Sequence, residues 1–72
     1  MYLTLELDCE PDGRYIAEVP DLPGVLAYGA SEREAVARAQ ALALRVLADR
    51  LEHGEPAPDL LPLDFGPPAA AA

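Results

Sequence analysis

Apolar and polar residues alternate along two runs near the start of the chain. In the first run, Tyr2 to Cys9, the apolar face consists of Leu3, Leu5, Leu7 and Cys9. In the second run, Arg14 to Val19, it consists of Tyr15, Ala17 and Val19. A period of two is typical of strands with one buried face, and the turn residues Glu10-Pro-Asp-Gly13 separate the runs. The pattern predicts a β-hairpin, with Cys9 as a buried, unreactive thiol.

A rigid connector and a third apolar run follow the hairpin. Pro20 and Pro23 lie three residues apart, which excludes both a helix and regular ladder pairing from this segment. Residues 25–28 then predict a short third strand. Its inner face stays open, because both of its faces are apolar. The two candidate pairs are Val25 with Ala27 and Leu26 with Tyr28.

The next pattern has the period of a helix. Ser31, with Glu34 three residues later, forms a capping box at its start. Apolar residues then recur at helical spacing: Ala35, Val36, Ala39, Leu42, Ala43, Val46, Leu47 and Leu51. Gly54 is suited to end the helix, and His53 lies in its last turn. We expect a helix over residues 32–53 that crosses the inner face of the sheet.

This helix carries a second, weaker stripe formed by Ala37, Ala41, Leu44 and Ala48. The stripe fits alanine used as a good helix former on a solvated face, and it equally fits a close helix–helix contact in an oligomer. A domain of 72 residues buries a thin core, so covering a further surface would stabilise it. We therefore predict a homodimer or a higher oligomer. The predicted oligomer interface comprises Tyr2, Ile16, Tyr28, Ala41 and Leu44.

The fold class that these elements predict is α+β. An antiparallel three-stranded sheet packs on one long α-helix, in the order β-β-β-α. Residues 60–65 are apolar but interrupted by Pro62, so they form either a fourth edge strand or a docked extended tail. Residues 66–72 are rich in proline and alanine and are expected to be disordered. The predicted domain therefore covers residues 1–65.

The net charge of the chain limits the kinds of molecule that it is expected to bind. The chain carries 13 acids and five arginines, no lysine, and a formal charge of −8. Binding of nucleic acid depends on clustered cations, so we expect no direct nucleic-acid binding by this chain. A basic protein partner suits this charge, and a role of the charge in solubility alone fits it equally well. No apolar run is long enough to span a bilayer and there is one cysteine, so a cytoplasmic location is expected.

Residues suited to catalysis are few. His53 is the only histidine, so the chain has no multi-histidine metal set and no histidine–cysteine pair near Cys9. Glu6, Asp8 and Glu18 could share one sheet face and present oxygen ligands, but cations that would hold phosphate are scarce nearby. We therefore predict no enzyme activity, no metal and no cofactor.

Four short elements in order carry a family resemblance over residues 3–58. They are the Asp12-Gly13 turn, the segment from Val19 to Gly24, the helix start from Ser31 to Ala35, and Gly54-Glu-Pro56. The chain resembles the N-terminal domain of the HicB-like antitoxins. The resemblance implies that it binds and inhibits a small basic toxin ribonuclease. The alternative is a solitary oligomeric accessory or regulatory domain without a toxin partner.

One departure from the family concerns DNA. HicB-like antitoxins usually continue into a C-terminal DNA-binding module, whereas this chain ends in a proline- and alanine-rich segment. We therefore expect a short, solitary form that does not bind an operator by itself.

The expected partner-binding surface lies on the hairpin and the connector. It comprises Asp12, Glu18, Asp21 and Leu22. Leu22 stands between two prolines and could form an apolar anchor within an acidic rim, which is the composition of an interface hot spot. The alternative is that Leu22 folds back under the sheet into a small core of its own.

Overall fold

A computed structural model describes residues 1–55, 60 and 62–70, and it has the predicted α+β architecture. Its elements are β1 (Tyr2–Leu3), β2 (Glu6–Cys9), β3 (Tyr15–Glu18), β4 (Leu26–Gly29), α1 (Glu32–Glu52), β5 (Asp64–Phe65) and β6 (Ala69–Ala70). The main sheet has the order β4-β3-β2-β6. Its first three strands are antiparallel, as expected, and β6 pairs with β2 in parallel, so the four-stranded sheet is mixed.

The run from Tyr2 to Cys9 is two strands, β1 and β2, where one had been expected. Thr4 interrupts it, because its backbone N–H donates to Oδ2 of Asp21 at 2.7 Å instead of to a neighbouring strand. β1 leaves the main sheet and pairs in parallel with β5, with Tyr2 opposite Asp64. Leu3 and Leu5 flank the break, and both are buried. The alternating pattern therefore predicted the burial of Leu3 and Leu5 correctly and the continuity of the strand wrongly.

The C-terminal segment runs parallel to the first strands of the chain: β5 lies beside β1, and β6 lies beside β2. The N–H groups of Asp64, Gly66 and Ala69 donate to carbonyl groups of residues 1, 3 and 5, at 2.8 to 3.1 Å. Residues 60–65 therefore hold a short strand, but it pairs with β1 instead of extending the main sheet. The expectation that residues 66–72 are disordered is wrong for Ala69–Ala70, which form β6. Residues 71–72 lie outside the described part of the chain.

The core lies between α1 and strands β3 and β4. Its buried side chains are Leu3, Leu5, Ala17, Val19, Leu22, Val25, Ala35, Ala39, Ala43 and Leu47. Small residues bring helix and sheet close together: a Cβ at Gly29 would collide with the backbone of Ala35. The sequence left open which side of β4 faces inward. Ala27 lies on the inner side, as does the buried Val25 just before the strand, so Leu26 and Tyr28 face outward.

Two residues expected inside are exposed. Cys9 lies at the end of β2, beyond the part of the sheet that α1 packs against, so the expectation of a buried thiol was wrong. Leu51 is 55% exposed, although its spacing placed it in the apolar stripe of the helix. It lies in the last turn of α1, after Leu47, which is the last buried residue of the helix. No helix in the described ranges is long and apolar enough to cross a membrane.

Local chemistry defines both ends of α1. Oγ of Ser31 accepts from the N–H of Glu34 at 3.1 Å, as the capping box predicts. Oε1 of Glu34 accepts from the N–H of Ala30 at 3.0 Å, one residue earlier than a standard box. At the other end Gly54 has a φ of 70°, and the N–H groups of residues 54 and 55 donate to carbonyls of residues 51 and 50. This is a Schellman motif, which satisfies carbonyls at the helix end.

Candidate functional site

The outer face of the main sheet, on the side away from α1, carries two rows of side chains. The strand register aligns Glu6, Glu18 and Leu26 in one row. It aligns Asp8, Ile16 and Tyr28 in the next. Strand β2 therefore contributes only acids to this face, and β4 contributes only exposed apolar side chains. We call these six residues the sheet face.

The sheet face belongs to a strongly acidic part of the chain. Residues 6–21 carry six carboxylates and one arginine, a net charge of −5. Glu6 and Glu18 are direct cross-strand partners. Like charges that oppose each other directly across two strands destabilise a sheet. The sheet therefore contains an unfavourable pair that a cation placed above it would relieve.

Arg14 joins the hairpin turn to the apolar side of this face. Its guanidinium lies 4.5 Å from the centroid of the Tyr28 ring, a cation–π contact. Its Nε donates to Oδ2 of Asp12 at 2.7 Å, and its backbone N–H donates to Oδ1 at 3.0 Å. The backbone N–H bond, followed by the guanidinium bond, lowers the pKa of Asp12 below its ordinary value. The one cation of the hairpin is thus engaged within the chain.

The predicted partner-binding residues divide into exposed acids and a core leucine. Asp12, Glu18 and Asp21 are exposed. Leu22 is only 3% exposed, so the expectation of an apolar anchor at this position was wrong. Its N–H donates to Val19 at 3.0 Å and its carbonyl accepts from Val25 at 3.1 Å. These two turns fold the connector back on itself and direct Leu22 into the core.

The predicted oligomer residues do not form one surface. Ile16 and Tyr28 are direct neighbours on the sheet face. Tyr2 lies on β1, outside the main sheet, and is 62% exposed. Ala41 and Leu44 lie on α1, where Ala41 is half-buried and Leu44 is 46% exposed. The five residues are therefore distributed over β1, the sheet face and the helix.

The residues with reactive side chains are dispersed. Within the described ranges, no group of three histidine, cysteine or acidic residues is placed to hold a metal ion. Nδ1 of His53 lies 2.8 Å from the carbonyl oxygen of Asp49 and 3.2 Å from its Oδ1. His53 is thus occupied at the end of α1. The best-defined feature with the chemistry of a binding site is the sheet face.

The strand register reveals members of this face that sequence reasoning missed. Leu26 had not been assigned to any binding surface, because the inner face of β4 was ambiguous. Glu6 and Asp8 had been weighed only as metal ligands. A comparison of the chain with models of protein families, with curated proteins and with solved structures gave no match.

Proposed function

We propose that this chain is an antitoxin-like protein that binds and inhibits a small basic toxin ribonuclease, as its resemblance to the HicB-like antitoxins implies. The observation that carries the proposal is the composition of the sheet face. Acids on β2 adjoin exposed apolar side chains on β4, and α1 packs on the other side of the sheet. An apolar anchor beside a charged rim is the usual anatomy of a protein-binding hot spot.

Charge would set the rate and orientation of binding. The net charge of −5 on residues 6–21 attracts a cationic protein and speeds its diffusional encounter with this chain. The opposed carboxylates of Glu6 and Glu18 favour a cation between them, since it would remove their mutual repulsion. Leu26 and Tyr28 would then bury apolar surface against the partner, which holds the complex together.

Inhibition follows from competition for the same cations. A ribonuclease holds the phosphates of RNA with arginine and lysine side chains. Carboxylates of the sheet face that pair with those side chains would exclude the RNA. In this proposal the protein acts in the cytoplasm, as a homo-oligomer, and binds no nucleic acid itself. The partner-binding residues are then Glu6, Asp8 and Glu18 with Leu26 and Tyr28, in place of a surface centred on Leu22.

The test pairs two double charge reversals of equal size. The genes beside this chain's gene are first searched for one that encodes a small basic protein, and that protein is the probe, assayed for RNA cleavage with and without this chain. Glu6→Lys with Glu18→Lys should slow association about tenfold or more at low salt and weaken inhibition. The control, Glu52→Lys with Asp64→Lys, changes exposed acids elsewhere and should retain inhibition.

Equal inhibition by both double variants would contradict the assignment of the sheet face. A basic neighbour that never co-purifies with this chain, or the absence of any such neighbour, would contradict the antitoxin function itself. Leu26→Ala supplies a charge-independent arm: it should speed dissociation while leaving the salt dependence of association unchanged.

A further inference from the structure

A groove follows one flank of α1, on the side that faces the C-terminal segment. At the C-terminal half of the helix it forms a hollow of about 360 Å³, whose exposed wall is wholly apolar. Its lining is Leu44, Leu47, Ala48, Leu51, Leu60 and Leu63. At the N-terminal half a second hollow of about 430 Å³ lies between the helix and the residues Leu7 and Pro68, and its helix wall consists of Glu32, Arg33, Val36, Ala37 and Gln40. We call these the C-terminal and N-terminal hollows.

The helix residues along this flank are arranged symmetrically about Leu44. Ala37, Gln40, Leu44, Ala48 and Leu51 follow one another at spacings of three, four, four and three. Two such helices laid antiparallel, with Leu44 on the two-fold axis, would place Ala37 of one against Leu51 of the other. Gln40 would meet Ala48 in the same way. Each contact away from the axis thus sets a longer side chain against alanine, which allows the helices to approach closely.

The helix wall of the N-terminal hollow contains the residues that this register needs. Arg33, Val36, Ala37 and Gln40 are positions i, i+3, i+4 and i+7 of the helix. Four residues at these positions form the hole that accepts one knob in knobs-into-holes packing. The side chain that the register delivers there is Leu51, which is 55% exposed in the single chain. The exposure of Leu51, unexplained by the core, is explained by such a contact.

Charge distinguishes this flank from the sheet face. Helix α1 carries four acids and four arginines, so its formal charge is zero. Residues 6–21 carry −5, and two sheet faces brought together would repel each other strongly. The antiparallel register also brings Arg33 of one copy opposite Glu55 of the other. A contact between two helices therefore brings together two elements without net charge, whereas a contact between two sheet faces would not.

The other route to self-association, edge pairing of β4, is obstructed. Residue pairs Val19–Val25 and Ala17–Ala27 bond β3 to β4, so the carbonyl of Tyr28 points to the free edge. Nη1 of Arg38 donates to that carbonyl at 3.1 Å. A charged side chain on an edge strand is a common device against strand addition.

From the groove, its symmetry and its charge, we infer that this chain forms a two-fold dimer through α1, with the helices antiparallel and Leu44 at the axis. Each Leu51 fills the N-terminal hollow of the other copy. Ala37 and Leu44 are the residues that fix the register. The sheet face remains free in this dimer, so each copy can still present it to another protein.

A swap of side-chain size tests the register. Ala37→Leu should fill the N-terminal hollow and Leu51→Ala should remove the knob, and each single variant should weaken the dimer at least tenfold in sedimentation equilibrium. The double variant, A37L with L51A, exchanges the two shapes and should restore most of the dimer. Circular dichroism and thermal unfolding of every variant confirm that the monomer is folded.

A cross-link tests the axis. In a Cys9→Ser background, Leu44→Cys should form a disulfide-linked dimer rapidly under mild oxidation. Ala48→Cys is the matched control: it lies four residues from the axis, so its two Cα atoms would be about 12 Å apart along the helices, too far for a disulfide. A wild-type monomer at 100 micromolar, no recovery in the double variant, or equal cross-linking of both cysteine variants would each overturn the inference.

Discussion

Helix α1 and the hairpin of β2 and β3 differ in how their charges are distributed. The helix alternates acids and arginines and reaches a charge of zero, with Glu34 and Arg38 paired at 3.4 Å. The hairpin region concentrates acids and even opposes two of them, Glu6 and Glu18. The helix and strand β4, which borders the hairpin, each leave apolar side chains exposed. Exposure alone therefore does not identify a partner. In our proposals it is the local charge that assigns one exposed surface to a second copy and the other to a cationic protein.

The largest expected effect is a difference in stability between two leucine truncations, one in the core and one on the sheet face, at positions four residues apart in the sequence. Leu22→Ala should cost about 2 to 5 kcal/mol in the free energy of unfolding, because it opens a cavity under the sheet. Leu26→Ala, at an exposed position of β4, should cost about 1 kcal/mol or less. Urea unfolding measures both. Similar costs for the two variants would contradict the assignment of Leu22 to the core and of Leu26 to the surface.

The next effect concerns the helix. Ser31→Ala removes the side-chain acceptor for the N–H of Glu34 and should lower the free energy of unfolding by about 1 kcal/mol. Ser31→Asp keeps an acceptor and should lose much less. Hydrogen exchange at residues 32–35 would localise the change to the first turn. A uniform change across the sheet amides would contradict the local origin of this cap.

A smaller effect of opposite sign is expected on the hairpin. Glu18→Gln removes the like-charge pair with Glu6 and should raise the free energy of unfolding by about 0.2 to 1 kcal/mol at low salt. Added salt should reduce the gain, because it screens the repulsion. Glu6→Gln removes the other member of the same pair and should give a similar gain. A loss of stability in Glu18→Gln would show that this carboxylate has a favourable partner.

The smallest effect is the titration of Asp12. Its folded-state pKa is lowered from 3.8 by the backbone N–H and the guanidinium of Arg14. The contribution to stability is therefore present above pH 3.8 and is lost as the pH falls through the lower, folded-state pKa. Carboxyl NMR should find Asp12 titrating below 3.8 and moving upward in Arg14→Ala. An unchanged titration in that variant would exclude the guanidinium as a cause.

The sequence determined what depends on neighbours along the chain. Ser31 with Glu34 and the glycine at position 54 defined the ends of α1 to within about one residue, since capping uses groups that lie within a few residues of each other. The alternation of residues 14–19 and the turn before it likewise predicted the hairpin. The sheet residues Glu6, Asp8 and Glu18 could be placed on one face for the same reason.

Only the tertiary structure decided what depends on distant partners. Thr4 ends β1 because Asp21, seventeen residues away, accepts its N–H. Residues 69–70 become a strand because carbonyls near the N-terminus lie beside them. Leu22 in the connector is buried, whereas Leu51 in the last turn of α1 is exposed. A leucine has the same tendency to be buried at every position, and the arrangement of the other elements decides which leucines are covered.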